Sequence, residues 1–211
     1  NLTDAPPPIA EDGLAALLRG DAPLPLGLRS AVAGLHAAAT DTRIAGVWLT
    51  GGFAPEGYGT GLAAIAELRA ALGSVKAAGK PVRAYFDHAG LEEYYLASVA
   101  DRVALNPAGL LVLPGLAAEP MFFADAFEKW GVGVQVTRSG RYKSAVEPFI
   151  RRDLSADNRE QLTSMLTDTW GRLRRDIADA RGLSPQAFQA IVDAEALIEP
   201  EKARAAGLID A

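Results

Sequence analysis

Short apolar runs alternate with amphipathic stretches along most of the chain. Leu28, Val32, Leu35 and Ala39 recur at helical spacing and predict a helix over about 28–39. The run from Ile44 to Leu49 reads as a buried strand, and a glycine-rich loop from Gly51 to Gly61 follows it. Leu62 to Ala78 is a long Ala/Leu helix pattern. Gly79 stops it, and Pro81 precedes a strand over Val82 to Phe86. Further along, a helix from Glu92 to Ala100 leads into strand Val103 to Leu105, and Asn106-Pro107 turns the chain into a short strand from Leu110 to Leu113. A helix over Pro120 to Trp130 and a strand over Val132 to Thr137 complete the series. Strand and helix in this alternation predict crossover units and a largely parallel sheet covered on its faces.

From Ser155 onward the pattern is helical. Leu162, Leu166, Trp170, Leu173 and Ile177 make one apolar stripe, with Ser155 placed as an N-cap. Ser184-Pro185 starts another helix, and Glu199-Pro200 repeats the device. No low-complexity linker divides the chain. The pattern describes one domain, with an α/β core over residues 1–154 and a helical C-terminal arm over 155–211.

Composition narrows the function. The chain has 211 residues, 49% of them hydrophobic, enough for a sizeable core. A net charge of −5 argues against a nucleic-acid partner, which needs excess Lys and Arg. Without cysteine there is no disulfide scaffold, thiolate zinc site or thiol nucleophile. His36 and His88 are far apart and fit no metal-ligand spacing, so neither a metal nor a cofactor is expected. His36 reads as a surface or packing residue in an Ala-rich helix. No apolar run is long enough to span a membrane. Asn1 in place of methionine and the early Pro6-Pro7-Pro8 read as an excised piece, so an anchor or targeting segment is left open.

The glycine-rich loop invites a phosphate-binding reading because it joins a strand to a helix. Its details fail. No Lys-Ser or Lys-Thr follows, and Gly57-x-Gly59 continues to Leu62 where the dinucleotide fingerprint needs a third glycine. Glu92 and Glu93 favour a helix start electrostatically, and adjacent helical residues diverge too far to act as an acid/base pair. The five lysines are Lys76, Lys80, Lys129, Lys143 and Lys202. Four sit where solvent is expected. Lys143 follows a strand and a glycine turn and leads into an apolar segment. A lysine in a drier pocket more readily becomes the neutral amine that accepts a proton.

The string Ser139-Gly140-Arg141-Tyr142-Lys143-Ser144-Ala145-Val146-Glu147-Pro148-Phe149 resembles the lysine motif of the signal peptide peptidases of the protease IV family. Ile150 to Ser155 continues the likeness, as do Tyr94 to Val103 with Asn106-Pro107, and the ending Ala203 to Asp210. The resemblance implies a crotonase-like, Clp-protease-like α/β fold and a Ser–Lys dyad, in which serine attacks the peptide carbonyl and lysine is the base. Lys143 matches the family lysine. Tyr142, Ser144 and Glu147 are candidate supporting residues, with Tyr142 and Phe149 expected to keep the lysine dry.

Aligning on Tyr94-Tyr95 puts Leu91 at the serine position, with Glu92 and Glu93 where two glycines should follow. That departure matches the long, tandem-repeat members, whose first half keeps the lysine and whose second half keeps the serine. The implied partners are the C-terminal serine-bearing half, peptide substrates and further copies in a homo-oligomer. The implied location is the periplasmic side of the bacterial inner membrane, through an anchor outside this stretch. The stretch alone is expected to be inactive. Ser144 should point away from Lys143, Ser139 is a turn residue, and Ser98 reads as core. Two rivals stand beside this reading. One is a non-catalytic scaffold half that serves oligomer assembly. The other is an acyl-thioester enzyme of the same fold, which the missing glycines after Leu91 disfavour.

Overall fold

The computed structural model describes residues 2–3, 26–51, 55–56 and 61–211. Most of the glycine-rich loop read between Gly51 and Gly61 lies outside the described residues. The chain divides into two compact units, Asn1–Pro114 with Arg174–Ala211, and Gly115–Leu173.

In the first unit, β1 (Leu2–Thr3) pairs in parallel with β2 (Leu26–Gly27) and with β4 (Pro55–Glu56). Helix α1 (Leu28–Thr40) leads to β3 (Val47–Thr50). Helix α2 (Leu62–Ala77) leads to β5 (Val82–Phe86), α3 (Leu91–Ala97) and β6 (Arg102–Leu105). Strands β3, β5 and β6 form a parallel sheet with β5 central, in register Val47↔Val82 and Ala84↔Val103. The crossovers predicted by strand–helix alternation are therefore present. Gly79 adopts φ +77 and donates to Lys76 O at 2.8 Å, which ends α2 where the sequence placed the stop.

One difference concerns the sheet faces. Val82, Ala84 and Phe86 of β5 are buried, together with Val103 and Leu105 of β6. Trp48, Arg83 and Arg102 lie side by side on the opposite face and are exposed. Alternation of this kind buries one face only, so the expected cover on both faces is not met among the described residues.

The core under the buried face is supplied by Ile65, Leu68, Leu72 and Val75 of α2 and by Tyr94 and Leu96 of α3. Buried polar groups are paired. Ser98 donates to Tyr95 O at 3.0 Å and accepts from Arg69 Nη1 at 2.7 Å, so it is the core residue the sequence suggested. Tyr95 Oη donates to Asp176 Oδ2 at 2.7 Å. After β7 (Leu111–Val112), this unit resumes with α7 (Pro185–Ala194), β8 (Leu197–Ile198) and α8 (Pro200–Ala205). The stretch read as wholly helical thus contributes a strand. β8 pairs antiparallel with β7, and Asp210 N donates to Val103 O at 2.8 Å beyond it. Ser184 caps α7 by accepting from Ala187 N at 3.0 Å.

In the second unit lie α4 (Ala124–Lys129), α5 (Glu147–Ile150) and the first turns of α6 (Ala156–Arg181), a long helix whose last residues belong to the first unit. Ser155 Oγ accepts from Asn158 N at 3.1 Å, the cap the sequence placed there. Phe123 and Phe127 each stack on Phe149 and tilt against one another, with ring centroids 6.2–6.4 Å apart. Arg152 joins Asp125 and Glu128, which fastens α4 to the segment after α5. The strand predicted over Val132 to Thr137 does not form among the described residues. Period-2 alternation marks a segment able to be a strand, but a strand also needs a ladder partner, and this segment pairs with no described strand. Val132 and Val134 are exposed as a result.

Candidate active site

The lysine-bearing segment is shaped by one glycine. Gly140 adopts φ +99, a region that side chains rarely enter, and turns the chain between Arg138 and Lys143. Beyond the turn, Glu147 N donates to Ser144 O at 2.9 Å and Phe149 N to Val146 O at 3.1 Å, which starts α5. Pro148 sits in the first turn of that helix, where its missing N–H costs nothing.

Glu147 is the firmest group in the segment, only 1% exposed. Its Oε2 accepts from Ser155 N and Asn158 Nδ2, both at 3.1 Å, and its Oε1 lies 3.5 Å from Arg138 Nη1. Burial alone would raise the pKa of this carboxyl. The bonds from Ser155, Asn158 and Arg138 outweigh that and hold it below the ordinary glutamate value. Arg138 Nη1 also donates to Lys143 O at 3.3 Å. The carboxylate expected to orient Lys143 therefore reaches it through Arg138 and the main chain.

Lys143 lines an open concavity of about 600 Å³ with Thr137, Arg138, Ser139, Ser144 and Gln161. Ser144 lines the same concavity as Lys143, the two residues lying between turns at 141–142 and 145–146. Tyr142 contributes to the same wall and to a neighbouring hollow of about 440 Å³ with Glu160, Met165 and Asp168. Arg141 stacks over the Tyr142 ring at 5.3 Å and pairs with Asp157 at 2.7 Å.

Exposure of the lysines differs from their sequence-based assignments in this stretch. Lys143 is exposed, and Tyr142 and Phe149, read as its shields, are themselves 48% and 45% exposed. By contrast, Lys76 and Lys80, read as solvent-facing, are partly buried and donate to the Val99 and Ala38 carbonyls at 2.7 and 2.5 Å. Both sit beside helix C-termini, where free carbonyls attract a cation.

Leu91 stands at the head of α3, directly after the central strand's C-terminal end, and is buried at 9% exposed. Gly90 is the N-cap, and Glu93 Oε2 accepts its N–H at 2.7 Å. Glu93 therefore serves the helix start, as its position implied. Leu91 belongs to the first unit, and Lys143, Tyr142, Ser144 and Glu147 to the second. Both histidines are exposed, and no group of three or more metal-binding side chains gathers among the described residues.

Sequence reasoning missed Arg138 and Asn158. Asn158 carried a faint signal, as the third residue after a serine cap, where a side chain able to reach back is common. Arg138 carried none, since it meets Glu147 across a turn that has no period.

An α/β chain with a small parallel sheet and a lysine displayed on a glycine turn points to the peptidase class that the motif resembles. The sequence profile of peptidase family S49 matches residues 74–211, a span that includes Leu91 and Lys143. The chain belongs to that family and is of the protease IV type. It is 35% identical over 144 residues to Protease 4 of Haemophilus influenzae, covering 66% of this chain and 23% of that protein. It is 33% identical over 172 residues to the chloroplastic serine protease SPPA of Arabidopsis thaliana, covering 82% and 25%. With Protease 4 of Salmonella typhi it shares 37% over 127 residues, covering 58% and 21%. The chain thus spans about a quarter of the length of these relatives.

Proposed function

We propose that this chain is the lysine-bearing half of a serine endopeptidase that cleaves signal peptides, with Lys143 as the general base of a split Ser–Lys dyad. One observation carries the reading. The head of α3 holds a buried Leu91 followed by two glutamates, while the segment around Lys143 keeps its full motif and a firm anchor in Glu147. The fold is crotonase-like, with the nucleophile's usual place left empty of chemistry in this half.

In this mechanism the serine comes from the C-terminal half of the same polypeptide. Its Oγ attacks the scissile carbonyl carbon as its proton passes to Lys143 Nζ. The tetrahedral intermediate collapses to an acyl-enzyme, and the lysine returns the proton to the leaving amine. Water then attacks the ester, giving its proton to the lysine, and the lysine returns that proton to the serine Oγ as the C–O bond to the acyl group breaks. A lysine acts this way only as the neutral amine, which loss of water favours. Because Lys143 is exposed here, the serine-bearing half must also cover it. Tyr142 and Ser144 line the concavity that receives that cover.

The same reading places the protein in a homo-oligomer on the periplasmic side of the bacterial inner membrane, held by a segment other than those described. No described helix is long and apolar enough to cross a membrane. The test is hydrolysis of a fluorogenic apolar peptide ester by the full-length protein, its Lys143→Ala variant and this stretch alone. An active full-length protein with the other two inactive is expected. Activity in this stretch alone would locate a nucleophile here, with Ser144 and Ser139 the first to replace.

A second reading is favoured by the exposed apolar residues of the second unit, including Met121 at 71% and Trp130 at 72%. On that reading this half is a scaffold for assembly. A fully active Lys143→Ala protein, together with loss of the oligomer in Trp130→Ser, would establish it.

A further inference from the structure

We propose that Arg138 is a positioning residue for Lys143, transmitting the fixed place of the buried Glu147 carboxylate to the main chain that carries the lysine. The inference rests on Lys143 being the general base.

The geometry forms a chain of three links. Glu147 Oε2 is held at the start of α6 by Ser155 N and Asn158 Nδ2. That site is the positive end of a 26-residue helix, which favours a carboxylate. Glu147 Oε1 then faces Arg138 Nη1 at 3.5 Å, and the same nitrogen donates to Lys143 O at 3.3 Å. Arg138 and Lys143 flank Gly140, so this contact closes the neck of the turn. The turn is tied to the helix by one guanidinium.

Position matters here because, among the described residues, no polar partner sets the Lys143 side chain. Among the described residues its Nζ makes no hydrogen bond or ion pair, and four rotatable bonds separate it from the backbone. The placement of its Cα is therefore what the protein controls. An error of about 1 Å there can cost about 100-fold in rate. An ordinary exposed ion pair would be too weak to matter. This one differs because its carboxylate is nine-tenths or more buried and already fixed by two other donors. Arginine also suits the task better than lysine, since the two N–H groups of its Nη1 are held in a rigid plane while an ammonium sits on a flexible four-carbon stem.

The experiment uses the full-length protein and the fluorogenic peptide ester. Arg138→Ala, Arg138→Lys, Lys143→Ala and the exposed-charge control Arg159→Ala are compared for kcat, KM and thermal melting. Arg138→Ala should lower kcat about 10- to 100-fold with KM within about twofold, and Arg138→Lys should fall between it and the parent. Arg159→Ala should match the parent. A normal kcat in Arg138→Ala, with Lys143→Ala inactive, overturns the positioning role and leaves the general base standing. A rise in KM with kcat unchanged makes Arg138 a substrate-binding group and overturns it equally. If Arg138→Ala does not fold, Arg138→Lys decides, and parental kcat there overturns the proposal. An active Lys143→Ala protein refutes the underlying reading instead.

Discussion

Arg181 Nη2 lies 3.0 Å from Asp210 Oδ1, and through this pair the last turn of α6 holds the C-terminal segment. The arginine is nearly buried, at 8% side-chain exposure, and its Nε donates to Gly207 O at 3.2 Å. Asp210 Oδ2 accepts from Val103 N at 2.7 Å, so the aspartate also closes the edge of β6. Burial pushes the Asp210 pKa up, but the Arg181 and Val103 donors outweigh it and leave the value below the ordinary one.

A depressed folded pKa means that the ionised form stabilises the fold. That stabilisation is present above the unfolded value of about 3.9 and is lost as pH falls through the lower folded value. Asp210→Asn should therefore be less stable than the parent at pH 7, by about 1–2 kcal/mol because the carboxylate is partly solvated. The gap should narrow as pH falls below about 3.9 and through the lower folded value. Urea unfolding at pH 7 and at a series of acidic pH values checks this, and a gap of constant size would show that the charge is not what matters.

Tyr94 is fully buried, and its Oη donates to Leu208 O at 2.7 Å. Burial raises the pKa of this phenol. A raised folded pKa stabilises the protein below the unfolded value of about 10, and the benefit is lost as pH rises through the folded one. Tyr94→Phe leaves the Leu208 carbonyl without its donor and should cost about 1–2 kcal/mol at pH 7. It should also unfold less steeply between pH 10 and 11 than the parent, as followed by circular dichroism. An identical alkaline limb would mean that another tyrosine governs it.

How much of this could be read in the sequence depends on how local the cause is. Val82 to Phe86 and the helix before it were legible, because period and the Gly79 stop act within a few residues. Val132 to Thr137 was misread because pairing depends on a partner elsewhere. The position of Lys143 on a glycine turn was also legible, and its lack of shelter was not. Exposure is set by what packs over a side chain, and Tyr142 and Phe149 are themselves half-exposed. Gly109 gave no warning at all. A Cβ on it would lie 1.9 Å from Asp87 O, so the loop after β5 passes too close for any other residue.

Gly140 offers a cleaner test of the turn. A Cβ there would meet Lys143 Cγ at 3.9 Å, an ordinary contact, so space is not the constraint. The constraint is φ +99. Gly140→Ala should cost about 1–3 kcal/mol as backbone strain and lower kcat of the full-length protein more than it raises KM. Steady-state kinetics with a urea melt would separate the two effects. Unchanged stability and kcat would mean that the turn relaxes freely and does not hold Lys143.

Leu91 gives the sharpest prediction about the division of labour. Restoring a hydroxyl by Leu91→Ser should not create a peptidase in this stretch. A serine nucleophile needs backbone donors aimed at a developing oxyanion. Here the Gly90 N–H is already taken by Glu93 Oε2, and two glutamates directly follow position 91, which disfavours negative charge growing there. The substitution also removes a buried apolar side chain from the core, at a cost of about 2–4 kcal/mol. Leu91→Ser should thus be less stable and still show neither an acyl-enzyme burst nor turnover on the peptide ester. A burst from this variant would mean that the first half can assemble its own dyad. Leu91 would then be the one side chain that keeps this stretch inactive.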